Sequence, residues 1–158
     1  MPESAENPMP DGWFHTGDLF VREPGGDYCY LDRLKDSIRR RGRNISSSEV
    51  EAEARAHPAV ALCAAVGVVV GDAPGAPRVD EEVKLFVMLR PDTELNPADL
   101  IEFLSTRLPR YMVPRYIEFR TSLPTTGATL RPVKKLLREL PNTEATYDRL
   151  APTLTPRG

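Results

Sequence analysis

The chain has 158 residues, 28% of them charged and 41% hydrophobic, which is the balance of a globular protein with room for one ordinary domain and some appendages. No apolar stretch approaches the ~20 residues of a membrane helix, and a net charge of -2 argues against a dedicated binder of nucleic acid or another polyanion. Cys29 and Cys63 are too few for a disulfide framework and read as small buried hydrophobes in a reducing compartment; neither they nor His15 and His57 have metal-ligand spacing, so no metal site is expected.

Residues 1–10 are polar with three prolines and lack the basic and apolar regions of a signal peptide, which predicts a flexible leader on a cytoplasmic protein. The run Asp11-Gly12-Trp13-Phe14-His15-Thr16-Gly17-Asp18 ends on a carboxylate whose two oxygens can accept a pair of hydroxyl donors. Leu19 to Val21 and Tyr28 to Leu31 are short strand-like runs around Arg22-Glu23-Pro24-Gly25-Gly26-Asp27, a composition that predicts a hairpin. Alternating charge follows in Asp32-Arg33-Leu34-Lys35-Asp36, then a basic segment that turns at Gly42. Ser46 and Glu49 have the spacing of a capping box, predicting a helix from Ser47 to Ala56 that His57-Pro58 stops.

Val60 to Val70 is the nearly continuous apolar run of a strand covered on both faces, and Gly71 to Asp80 reads as an exposed loop. Val83 to Leu89 is a second strand; Asn96-Pro97 opens a helix whose apolar stripe is Leu100, Ile101, Leu104 and Leu108. Tyr111 to Phe119 contains a third strand, and Lys134 and Lys135 lie on a basic helix as surface charges. After Leu140 the composition turns to Pro, Thr and Arg, predicting a disordered tail over 141–158. The fold class that results is α+β, a small three-stranded sheet packed with helices and preceded by a β-hairpin.

Three phrases in this order, D-R-x-K-D over Asp32 to Asp36, R-x-x-G over Arg39 to Gly42 and S-x-x-E-V-E over Ser46 to Glu51, resemble the hinge and following loop of the adenylate-forming superfamily. That superfamily contains acyl-CoA synthetases, luciferases and peptide-synthetase adenylation domains, and Gly12 to Asp18 resembles its G-W-x-x-T-G-D element. The resemblance covers about residues 11–140. It implies a remnant hairpin of the large N-terminal domain at 11–32, a hinge at 33–36 and the small C-terminal domain at 37–140. It places Asp18 and Arg33 at the ribose of ATP, makes Lys35 the residue that absorbs the rotation of the domain, and puts Gly42 and Arg39 on the loop lining the thiol channel, with nearby arginines placed to meet coenzyme A phosphates.

The superfamily's last motif ends in T-G-K, whose lysine neutralises charge as the carboxylate attacks phosphorus. Here Leu123-Pro124-Thr125-Thr126-Gly127-Ala128-Thr129-Leu130-Arg131 occupies that place. A straight count puts Leu130 at the lysine position; one inserted residue puts Arg131 there and also brings Lys134, Leu137 and Arg138 onto the motif's basic helix, so Arg131 is the preferred candidate. The implied function is the C-terminal portion of an AMP-forming acyl-CoA ligase, inactive alone. The alternative is a stand-alone accessory module docking on an adenylating enzyme or carrier protein. The resemblance implies ATP, magnesium and coenzyme A for an intact relative and no cofactor for this chain by itself. The expected partner is the missing N-terminal adenylation domain or a separate adenylating protein, with coenzyme A or a carrier protein as thiol acceptor.

Overall fold

A computed structural model describes residues 15–69, 80–127 and 130–151. The expectations for Gly12, Trp13, Phe14, Val70 and the 71–79 loop lie outside the described residues. Two hairpins come first. β1 (Asp18–Arg22) and β2 (Tyr28–Arg33) pair antiparallel with a bulge between Leu19 and Phe20, as the turn-forming Pro-Gly-Gly composition predicts. The amide of Leu34 donates to the carbonyl of Gly17 at 2.7 Å, which extends the ladder to the edge of the following turn.

β3 (Ile38–Arg40) and β4 (Arg43–Ile45) form the second hairpin, closed by the two residues Arg41 and Gly42. Both have positive φ, 48° and 74°, the requirement of a type I′ turn, whose twist matches that of its strands. A Cβ on Gly42 would meet nothing within 4 Å, so the glycine is needed for its backbone angle and not for space. Gly42→Val is therefore expected to cost about 1–3 kcal/mol in chemical denaturation, with Arg41→Asn neutral or slightly stabilising.

The body of the domain follows. α1 (Ser47–Arg55) begins where the Ser46 side chain accepts from the Glu49 amide at 3.3 Å, and β5 (Val60–Val69) runs next. β6 (Glu81–Leu89), α2 (Pro97–Ser105), β7 (Tyr116–Phe119), α3 (Lys134–Arg138) and β8 (Thr146–Asp148) complete the chain order. Asn96 caps α2 by accepting from the Asp99 amide at 2.8 Å, with Pro97 just inside the helix, as the sequence predicts.

The main sheet has the order β5-β6-β7-β8, with β6 and β7 parallel and the outer pairs antiparallel. It therefore has four strands where three are expected, because the described part of the supposed disordered tail supplies β8. The physical reason is ionic: Arg115 grips Asp148 through two N–H···O bonds of 3.1 and 3.0 Å, and Thr146 donates to Glu118 at 2.8 Å. A Pro- and Thr-rich composition gives no periodic signal for such an edge strand.

Alternation along the strands divides the core in two. Cys63 and Ala65 of β5 with Val83, Leu85 and Val87 of β6 face Val50 of α1 and Leu100 and Leu104 of α2, all buried. Ala64, Val66 and Phe86 face the other way, against Leu123 and Leu137 of α3. Burial on both faces is why Val60 to Val69 reads as an unbroken apolar run; each fully buried large side chain contributes about 1.5–3 kcal/mol. The second face also carries Lys84, fully buried and paired with Glu118 at 2.8 Å.

The two cysteines differ. Cys63 is buried, and burial followed by the nearby Glu51 charge pushes its thiol up to about 12, so it is unreactive. Cys29 is exposed, against expectation, on the face of the first hairpin where its cross-strand partner Val21 is also exposed. On the opposite face Phe20, Tyr28 and Tyr30 are exposed at 52, 66 and 52%, and Leu34 beyond the strand at 65%. That is an aromatic face suited to burial against another surface.

Candidate functional site

The candidate site is organised by the turn between the two hairpins. The carbonyl of Arg33 accepts from the amides of Asp36 and Ser37 at 2.9 and 3.0 Å, which folds Leu34-Lys35-Asp36 into a tight loop with Lys35 exposed. Asp18 and Arg33 are direct partners in the β1–β2 register, and the guanidinium lies 3.6 Å from the carboxylate. The hairpin thus brings the two sequence-predicted ribose residues side by side at its open end, next to the Lys35 turn. Asp18 keeps carboxylate lone pairs available beyond this long contact.

The basic segment is divided by strand alternation. Arg40 points inward, only 7% exposed, pairs with Glu82 at 2.7 Å and donates to the Tyr111 carbonyl at 2.8 Å. It belongs to the scaffold. Arg39, Arg41 and Arg43 are exposed, with Arg43 stacked 4.8 Å from the Tyr111 ring centroid. The hairpin is tied to the sheet through its backbone: the Arg39 amide donates to Glu81 at 3.0 Å and the Arg41 amide donates to Asp80. Arg39 and Gly42 are therefore presented on a braced loop, with the Arg39 side chain exposed.

Arg131 is on a different loop, whose base is the bridge between Thr125 and Pro132. The Thr126 amide donates to the Arg131 carbonyl at 2.9 Å and the Leu130 amide to the Thr126 carbonyl at 3.1 Å. Arg131 is exposed and makes no ion pair with any described residue. Leu130 has φ of 51°, an unfavourable angle for a residue with a branched side chain. Thr129 and Ala128 lie outside the described residues.

A buried polar group escapes sequence reasoning altogether. Asp32, 3% exposed, accepts from the Ser47 amide at 2.6 Å, the Ser47 hydroxyl at 2.7 Å and the Ser48 amide at 3.4 Å, so a carboxylate from the end of β2 occupies the N-terminus of α1. Lys134 donates to the Ser47 hydroxyl at 2.6 Å and pairs with Glu51 at 2.8 Å; Glu51 in turn accepts from the Ala65 amide on the outer edge of β5 at 2.9 Å. Of the two lysines expected on the surface, Lys135 is exposed and Lys134 is turned inward by this pairing. The signal for Asp32 is hidden because an alternating charge run looks solvated, while its partner Ser47 lies 15 residues away. At the other end of the turn, Arg138 pairs with Asp36 at 2.9 Å.

Residues 49–129 match the AMP-binding enzyme C-terminal domain. The chain belongs to that family. It is 39% identical over 127 residues to a feruloyl-CoA synthase of an Amycolatopsis species, covering 80% of this chain and 25% of the relative. A long-chain-fatty-acid–CoA ligase of Escherichia coli is 36% identical over 137 residues, or 87% of this chain and 22% of the relative. The o-succinylbenzoate CoA synthetase of Bacillus subtilis, solved in complex with its acyl-adenylate intermediate, superposes with a TM-score of 0.73 at 26% identity over 91% of this chain and 28% of that one. The chain thus spans about a quarter of the length of these relatives. As an AMP-binding enzyme C-terminal domain it has the mixed fold expected from sequence, and among the described residues no helix is long and apolar enough to cross a membrane.

Proposed function

We propose that this AMP-binding enzyme C-terminal domain is the mobile part of an AMP-forming acid–thiol ligase, acting in the cytoplasm with an adenylating domain linked to it or supplied by another protein. The observation that carries the reading is the pairing of Asp18 with Arg33 beside the exposed Lys35 turn. Asp18 would take the ribose hydroxyls of ATP, and Arg33 would hold that carboxylate in place. The described residues contain no glycine-rich phosphate cradle, so the phosphates, magnesium and acyl group fall to the adenylating domain. The exposed Phe20, Tyr28 and Tyr30 face is the surface it would cover.

Rotation at Lys35 would then present two different faces to the reaction in turn. In one, Arg131 would place its cation near the transferring phosphorus and offset charge there. In the other, Gly42 and Arg39 would line the approach of a thiol, with Arg41 and Arg43 available to phosphates of coenzyme A. The left-handed angle of Leu130 supports the alignment with Arg131, because the superfamily's T-G-K has glycine at that position and glycine alone adopts the angle without strain.

The test is a fusion to the adenylating domain of a related acyl-CoA ligase, with both half-reactions measured. Arg131→Lys is expected to raise adenylate formation, read as pyrophosphate release, on the order of 10²-fold. Thioester formation from supplied acyl-adenylate should not change. An active fusion in which Arg131→Lys leaves pyrophosphate release unaltered would remove Arg131 from this role.

A further inference from the structure

α3 has five residues, too few to be stable as an isolated helix, and it is held to the hinge turn at both ends. Its first residue, Lys134, donates to the Ser47 hydroxyl at 2.6 Å, and that hydroxyl donates to Asp32 at 2.7 Å. Its last, Arg138, pairs with Asp36 at 2.9 Å. Asp32 and Asp36 flank Lys35, so both acidic residues of the turn are engaged with α3, one directly and one through a single hydroxyl. Toward the N-terminus of α3, the Val133 amide donates to the Pro124 carbonyl at 2.8 Å, Pro132 bridges Thr125, and the Arg131 carbonyl receives the Thr126 amide. Side-chain contacts from the hinge to Lys134, then the backbone from Lys134 to Val133, therefore join the hinge to the Arg131 loop in series.

The middle of this series is dry. Asp32, Ser47 and Glu51 are 3, 0 and 9% exposed, so the bonds among them and Lys134 are sheltered from competing water. Ser47 has one hydroxyl proton, which is committed to Asp32, and this leaves its lone pairs for Lys134. The position of the ammonium is thereby set in part by whether the Asp32 carboxylate is present.

We propose that α3 is a strut through which the state of the hinge sets the order of the Arg131 loop, with Asp32, Ser47 and Lys134 as its positioning residues. Asp32 lies on the hairpin side of Lys35, whereas Ser47, Asp36 and α3 lie on the side of the body. A backbone rotation at Lys35 pulls Asp32 from Ser47 while Asp36 and Arg138 travel together. The loop then loses one of the contacts that fix its C-terminal stem. The strut rests on reading Lys35 as a hinge and Arg131 as a functional cation, but the coupling itself is a property of the 158-residue chain and is measured there.

Continuity of contacts does not establish coupling, so the test must read one end while changing the other. Amide hydrogen exchange followed by NMR on the whole chain does this for Asp32→Ala, Ser47→Ala and the double variant. Ser47→Ala retains the backbone amide that donates to Asp32 and removes only the hydroxyl. Each single variant is expected to speed exchange of the Thr126, Leu130 and Val133 amides about tenfold, a typical loss for one charge-assisted bond, with β5 and β6 amides unchanged. The double variant should be no faster at the loop than either single one, since both cut the same series. Unchanged loop exchange in Asp32→Ala overturns the strut, as does additive acceleration or a matching acceleration in β5 and β6. If Ser47→Ala does not fold, Lys134→Met takes its place in the cycle. Failure here leaves the half-reaction assays of the fusion untouched, and failure of those assays leaves the exchange result standing.

Discussion

Glu118→Ala will destabilise the domain by about 3–5 kcal/mol in chemical denaturation, because it strands the fully buried Lys84 ammonium without its partner. The contact of Lys84 with the Pro141 carbonyl at 3.4 Å and its position 4.6 Å from the Phe86 ring centroid compensate it only weakly. The double variant Lys84→Met, Glu118→Leu should come within about 1–2 kcal/mol of the wild type, since an apolar pair of similar volume has no desolvation cost to offset. An equally damaging double variant would show that shape at this site, and not charge, governs stability.

The same pair gives the fold a defined response to acid. Burial pushes the Glu118 carboxyl up, but hydrogen bonds from Lys84 and Thr146 and the Lys84 charge outweigh it and hold the group below its ordinary value of 4.5. The hydrogen bond from Arg115 likewise holds Asp148 below its ordinary 3.8. A carboxyl depressed in the folded state stabilises fully above its unfolded value and loses that contribution as pH falls through its folded one. The contribution of these two groups is therefore constant above about pH 5 and is lost as pH falls below the 4.5 to 3.8 range. Both groups anchor β8, so its amides should lose exchange protection before those of β5 and β6. Their simultaneous loss would show that β8 unfolds only with the whole domain.

Lys35→Pro in the fused ligase is expected to lower thioester formation from supplied acyl-adenylate on the order of 10²-fold, the scale on which misplacement of reacting groups is felt. Proline fixes φ near -65° and restricts Leu34 before it, so the turn is confined to a narrow set of orientations. The Lys35 side chain is exposed, and the turn is held by the amides of Asp36 and Ser37 donating to Arg33. Thermal stability should therefore change little. Equal losses in both half-reactions would indicate damage to the turn itself and not to a rotation about it.

Most of the elements before residue 141 follow from local chemistry. Pro-Gly-Gly marks the first hairpin, Ser46 and Asn96-Pro97 mark the helix starts, and the long apolar run marks a strand covered on both sides. A hairpin places the ends of its two strands opposite each other, but it is the bulge between Leu19 and Phe20 that makes Asp18 and Arg33 partners; a regular register from the turn would set Asp18 against Asp32. The family was legible because its hinge phrases are contiguous in the chain.

Tertiary structure alone decided the fates of individual charges. Arg40 and Arg41 are neighbours of the same type, yet one is buried against Glu82 and the other is exposed on a turn. Lys134 and Lys135 divide in the same way, one paired with Glu51 and one in solvent. Asp32 fills the end of α1, and β8 exists because Arg115 and Glu118 of the sheet region hold Asp148 and Thr146. Backbone propensity and apolar periodicity act over a few residues and so are written in the sequence itself. Whether a charge is solvated or buried depends on a partner tens of residues away, and the Asp36–Arg138 pair, separated by 102 positions, exists only once the chain has folded.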